Sequence, residues 1–122
     1  MLEERYRVIT IDLPGFGSSD VVPNVSIDYY AQAILAVLEE KNLSDVIVIG
    51  HSMGGYTALA LVALAADRLK GIGLFHSHPY ADNEEKKAAR YKQIEFINKH
   101  GHPLYVKQLV PKLFPPPYGQ TN

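Results

Sequence analysis

Gly50-His51-Ser52-Met53-Gly54-Gly55 fits the pattern Gly-x-Ser-x-Gly, whose residue types suit a serine hydroxyl presented for attack on a carbonyl. The chemistry needs a sharp turn between a strand and a helix. That turn strains the serine backbone and lifts its hydroxyl clear of the sheet, while the flanking glycines let strand and helix approach closely. The N–H of Met53 would then open the helix, where it can donate to a developing oxyanion. Ser52 is therefore the candidate nucleophile and Met53 the candidate backbone donor. A chance glycine–serine turn is the alternative, and the strand and helix patterns on either side argue against it.

A serine nucleophile requires a base, and the chain has five histidines. His51 adjoins the serine, but an elbow turns adjacent side chains apart, so it reads as a packing or hydrogen-bonding residue beneath the oxyanion site. His76 and His78 follow a strand at its carboxyl end, the edge where open α/β sheets bind ligands, and are candidates to line the pocket. The His-x-His spacings at 76/78 and 100/102 suggest a metal, yet no carboxylate or third histidine stands at a ligand-like spacing. One triad respects the chain order Ser, Asp, His: Ser52, Asp82, then His100 or His102. Against it, Asp82 reads as the cap of a helix whose length would carry His100 about 25 Å away. Gly15-Phe16-Gly17 starts like a dinucleotide fingerprint, but Asp20 stands where its third glycine belongs. No phosphate-binding Gly-Lys-Ser/Thr occurs, and no cofactor is expected.

The elements that must position Ser52 alternate in type. Residues 6–11 (Tyr-Arg-Val-Ile-Thr-Ile) suggest a strand, stopped by Asp12-Leu13-Pro14-Gly15. Ser26 is a good N-cap for a helix to about 41, with Ile27, Tyr30, Ala31, Ile34, Leu35 and Leu38 at helical spacing. Residues 45–49 suggest a second strand in which Val46-Ile47-Val48-Ile49 is apolar without alternation, as in a strand covered on both faces and ended by Gly50. A buried helix is expected over 53–66 and a third strand over 71–75. Strand, helix, strand, helix, strand implies a parallel sheet with right-handed crossovers. Beyond His78-Pro79, Asp82 and Glu85 resemble a capping box ahead of a charged helix to about 99. Gly101 and Pro103 break it before a shorter helix over 104–114, giving two amphipathic helices that lie over another surface.

With these elements in place, the chain resembles the α/β-hydrolase family, in particular the cap-bearing branch of esterases, lactonases and carbon–carbon bond hydrolases. The resemblance rests on Arg7-Val8-Ile9-Thr10-Ile11-Asp12-Leu13-Pro14-Gly15-Phe16-Gly17-Ser18-Ser19-Asp20 and on Val46-Ile47-Val48-Ile49-Gly50-His51-Ser52-Met53-Gly54-Gly55. It implies a three-layer α/β-hydrolase core around a parallel sheet, truncated, over residues 1–81, and the start of a helical cap over 82–122. It implies that Asp12 organises its loop, and that Ser52 excludes the family's aspartate-dependent dehalogenases and epoxide hydrolases. It also implies that this is a middle piece. The strand whose loop supplies the second oxyanion donor would precede residue 1, and the triad's acid and histidine would follow residue 122. In the family's sheet order that preceding strand lies between residues 6–11 and 46–49. Its absence would leave strand edges open to another chain, to re-pairing or to instability.

The 122 residues suffice for one ordinary domain. Twelve basic against thirteen acidic side chains leave no footprint for nucleic acid or an anionic membrane. The absence of cysteine excludes disulfides, thiolate catalysis and thiolate-bound zinc. The longest apolar run, 58–66, is too short to span a bilayer. Nothing at the amino end reads as a signal peptide, so a cytoplasmic location is expected. The function expected is a serine hydrolase acting on a small acyl substrate, nearly inert as this chain alone for want of a base. The alternative is a non-catalytic module that binds a partner, or itself, through open strand edges.

Overall fold

A computed structural model describes residues 2–115 of the chain. They form two compact units, divided between Pro79 and Tyr80. In the first unit, a short 3-10 turn (Leu2–Glu4) precedes helix α1 (Ile27–Glu40), strand β1 (Val46–His51), helix α2 (Met53–Ala65) and strand β2 (Leu69–Phe75). The second contains α3 (Glu84–His100), α4 (His102–Leu109) and a 3-10 turn (Val110–Leu113). No described helix is long and apolar enough to cross a membrane.

Helix α1 begins where local chemistry dictates. Ser26 lies in extended backbone and its Oγ accepts from the Tyr29 N–H at 3.1 Å, satisfying one orphan donor of the first turn. Its apolar stripe puts Ala31 and Leu38 into a core with Leu61 and Ala65 of α2. Val46, Val48 and Leu69 close that core from the sheet. Helix α2 is apolar nearly all round and contributes Gly55, Thr57, Ala58, Leu61 and Ala65 to the interior.

β1 and β2 pair in parallel, with Gly50 opposite Leu74 and His51 opposite Phe75. The parallel α/β class is thus as the sequence implies, but three expectations change. Residues 7–13 form no strand. A ladder needs a neighbour, and among the described residues the sheet has two strands only, so the segment has not closed up onto β1. Gly50 does not end β1, which continues to His51. β1 is also not covered on both faces: Ile47 and Ile49 are 60% and 65% exposed. Helix α2 packs on both strands and α1 packs on α2, so the core lies where these elements meet.

In the second unit both helices exist, with a correction at the first cap. Asn83, not Asp82, is the N-cap of α3, and its Oδ1 accepts from the Lys86 N–H at 2.9 Å. The Asp82 carboxylate instead pairs with the Arg90 guanidinium. Gly101 ends α3 at φ 81°, donating its N–H to the Ile97 carbonyl at 2.7 Å. Pro103 sits in the first turn of α4, where its missing N–H breaks no helical bond, so α4 starts earlier than expected. Neither helix contains a buried residue.

Candidate active site

Ser52 occupies the junction between β1 and α2, at φ 53° and ψ −114°. A non-glycine residue there is strained by of order 1–3 kcal/mol and persists only where its surroundings over-determine it. Two backbone bonds do so: the Ser52 N–H donates to the Phe75 carbonyl at 2.9 Å, and the Ser52 carbonyl accepts from the Gly55 N–H at 3.0 Å. The first extends the β1–β2 ladder into the turn. The second closes the first turn of α2.

The glycines around Ser52 have separate reasons. At Gly50, an added Cβ would overlap the Gly54 carbonyl and come within 2.5 Å of the Gly55 nitrogen, so strand and helix backbones meet with no room for a side chain. Buried Gly55 is bare because the Ser77 side chain fills the space beside it. At Gly54 an added Cβ would meet nothing within 4 Å.

Ser52 is the N-cap of α2 yet makes no side-chain capping hydrogen bond, and the residue is exposed. Its hydroxyl is therefore not consumed by the helix it begins. Met53 is the first residue of α2, where backbone N–H groups lack intrahelical acceptors and the helix dipole favours negative charge. The two residues singled out by the motif stand side by side at one helix terminus.

An open cleft of about 330 Å³ joins the two sequence motifs. His51, Ser52, Met53 and Gly54 form one side, and Ile11, Asp12, Leu13 and Phe16 the other. The second wall is a loop organised by Asp12. Its Oδ2 accepts from the Ser18 N–H at 2.9 Å and its carbonyl from the Ser19 hydroxyl at 2.6 Å. Gly17, at φ 52°, leaves the space that the Asp12 carboxylate occupies. Phe16 anchors the loop edge-on to the buried Tyr30 ring of α1, with centroids 6.2 Å apart.

The histidines fall otherwise than the sequence suggests. His51 is exposed, with its ring 5.6 Å from those of Phe75 and His76, rather than sitting beneath the turn. His76 stacks on Phe75 at 4.4 Å and 12°, and His78 meets Tyr56 edge-on, so neither lines this cleft. Asp82 and His100 stand before and at the end of α3, whose 17 residues separate them by about 25 Å, so the alternative triad is not assembled. Among the described residues no histidine or carboxylate hydrogen-bonds the Ser52 hydroxyl, and no group of three or more His, Asp or Glu could hold a metal. Sequence reasoning missed Ser77 and the Phe75 carbonyl, since neither has a signature and only chain crossing brings them to the turn.

The strain at Ser52 makes a prediction independent of activity. Ser52→Gly is expected to raise stability by about 1 kcal/mol, the relief of positive φ outweighing the added freedom of the unfolded chain. Urea denaturation with an unchanged m-value would show it; a lower midpoint would refute the strain.

Comparison with known proteins places this geometry. The family profile described as alpha/beta hydrolase fold matches residues 1–99. The 3-oxoadipate enol-lactonase 1 of Acinetobacter baylyi is 34% identical over 94 residues, covering 77% of this chain and 35% of that protein. The 2-hydroxy-6-oxononadienedioate/2-hydroxy-6-oxononatrienedioate hydrolase of Escherichia coli is 32% identical over 71 residues, covering 57% and 25%. Among solved structures, a thermophilic esterase from Thermogutta terrifontis superposes with a TM-score of 0.71 at 30% identity, covering 81% of this chain and 37% of that one. The chain thus spans between a quarter and just over a third of the length of these relatives. A profile match over 99 residues that includes both walls of the cleft makes the chain a member of the alpha/beta hydrolase fold family.

Proposed function

We propose that the chain carries the nucleophile half of a serine hydrolase site acting on esters or related acyl compounds, in the cap-bearing branch of the family. One observation carries the reading: an exposed Ser52, strained and free of capping duty, faces an apolar loop across a cleft at the start of α2. The names of its relatives, an enol-lactonase, a dienedioate hydrolase and an esterase, support acyl or related carbonyl substrates.

In this mechanism the Ser52 Oγ bonds to the acyl carbonyl carbon while its proton passes to a histidine. The Met53 N–H holds the resulting oxyanion. The leaving alcohol takes up the proton as the carbon–oxygen bond breaks, and water repeats the sequence to release the acid. Ile11, Leu13 and Phe16 supply an apolar wall for the acyl group. A histidine and an acid of the complete protein finish this chemistry, and the helices that follow Asp82 belong to its cap. The test is a panel of esters and lactones assayed with the product of the complete open reading frame. Turnover lost in Ser52→Ala supports the reading; turnover that survives, or none at all, overturns it.

A second reading has its own observation. The two-stranded sheet has open edges, and Ile47, Ile49 and Phe75 on its bare side are each more than half exposed. As an association module, the chain would show a concentration-dependent mass in sedimentation velocity. A monomer throughout would remove this reading.

A further inference from the structure

Resting on the reading of Ser52 as nucleophile, we propose that Ser77 is a positioning residue for the oxyanion donors, setting the height of the first turn of α2 above the sheet.

Three successive contacts link the chain leaving β2 to the turn containing Ser52. The Phe75 carbonyl accepts from the Ser52 N–H at 2.9 Å. Two residues on, the Ser77 side chain lies against Gly55 so closely that an added glycine Cβ would come to 2.5 Å of Ser77 Cβ and overlap its Oγ. One residue further, the His78 ring meets the Tyr56 ring edge-on, with centroids 6.1 Å apart and planes at 81°. Residues 75, 77 and 78 therefore brace residues 52, 55 and 56 in the same order along both segments.

Ser77 is the part of this brace that simple packing does not explain. Its Oγ is buried and has no hydrogen-bond partner. Alanine would preserve the Cβ contact without burying an unsatisfied hydroxyl, so stability alone favours alanine here. What the hydroxyl adds is one atom of volume between the β2 exit and Gly55. Gly55 donates to the Ser52 carbonyl, so a displacement at Gly55 passes directly to the turn that carries Ser52 and the Met53 N–H. Donors to an oxyanion work only within a few tenths of an ångström of their place, and a misplacement of 1 Å costs about 10²-fold in rate.

The experiment compares Ser77→Ala, Gly55→Ala and the exchange variant Gly55→Ala with Ser77→Gly. In ¹H–¹⁵N spectra of the 122-residue chain, Ser77→Ala is expected to move the amide signals of Ser52, Met53 and Gly54 without lowering the urea midpoint. Gly55→Ala should lower the midpoint, and the exchange variant should recover most of that loss. In the product of the complete reading frame, Ser77→Ala is expected to reduce kcat by about 10-fold to 100-fold with KM within about twofold. Unmoved Met53 and Gly54 amides overturn the proposal whatever the enzyme does. So does an unchanged kcat in a protein whose Ser52→Ala variant is dead, or a fall in kcat matched by a fall in stability. If the wild type hydrolyses nothing while the amides move as expected, the assignment of Ser52 fails and the brace stands.

Discussion

Ser52→Ala is expected to reduce ester hydrolysis by the product of the complete reading frame by about 10⁶-fold, leaving its folding stability equal or slightly lower. The magnitude follows from how nucleophile and base cooperate: in subtilisin, loss of either the serine or the histidine alone removes about 10⁶ in kcat. The same arithmetic applies to the 122-residue chain by itself. No described histidine hydrogen-bonds the Ser52 hydroxyl, so the chain alone should hydrolyse esters about 10⁶-fold more slowly than the complete protein, keeping at most the roughly 10³–10⁴ over water that binding and oxyanion donors supply without a base. The donor that remains, the Met53 N–H, belongs to a class worth about 10²–10³ in kcat, and that only when a nucleophile attacks. Substrate turnover by the 122-residue chain, abolished in Ser52→Ala, would mean that one of its own histidines serves as base.

Gly50→Ala is expected to cost more than about 3 kcal/mol, at or beyond the upper end of overpacking, and to leave the chain largely unfolded at ambient temperature. The obstacle is backbone: the new Cβ would overlap the Gly54 carbonyl, which no rotamer change can move aside. Relief requires β1 and α2 to separate, and with them the ladder that holds Ser52 to Phe75. Gly54→Ala is the control. A Cβ there meets nothing within 4 Å, and alanine favours helix by about 1 kcal/mol over glycine, so stability should be unchanged or higher. Gly54 borders the cleft, however, so the same methyl takes up room beside Ser52. Of the two outer glycines of the pattern, one is required by the fold and the other borders the cleft beside Ser52. Circular dichroism in urea separates them: a Gly50→Ala protein as stable as the parent, or a Gly54→Ala protein as damaged as Gly50→Ala, would contradict this division.

Residues whose environment is their own chain neighbourhood behaved as their types suggest. Ser26 caps α1, Gly101 ends α3, and the apolar spacing of α1 buries Ala31 and Leu38, because each depends on contacts within a few residues or on helical period. The same holds for the turn at Ser52, where strand, glycine, serine and helix are consecutive. Asp82 is an instructive near miss. Asn83 beside it is an equally good cap, and Arg90, two turns along α3, takes the Asp82 carboxylate instead.

What the chain encodes locally is thus the elbow, its strain and the helices that frame it; the types and order of residues 46–66 suffice for these. Whether residues 6–11 become a strand was not theirs to decide, since a ladder exists only with a partner, and among the described residues β1 pairs with β2 alone. Tertiary structure likewise chose the loop of Asp12 as the wall facing Ser52, placed Ser77 against Gly55, and set His78 edge-on to Tyr56. The reason is distance along the chain. Helical period and turn chemistry act over a few residues, whereas Asp12 and Ser52, Gly55 and Ser77, and Tyr56 and His78 stand more than twenty residues apart, and no local preference of either segment specifies the other.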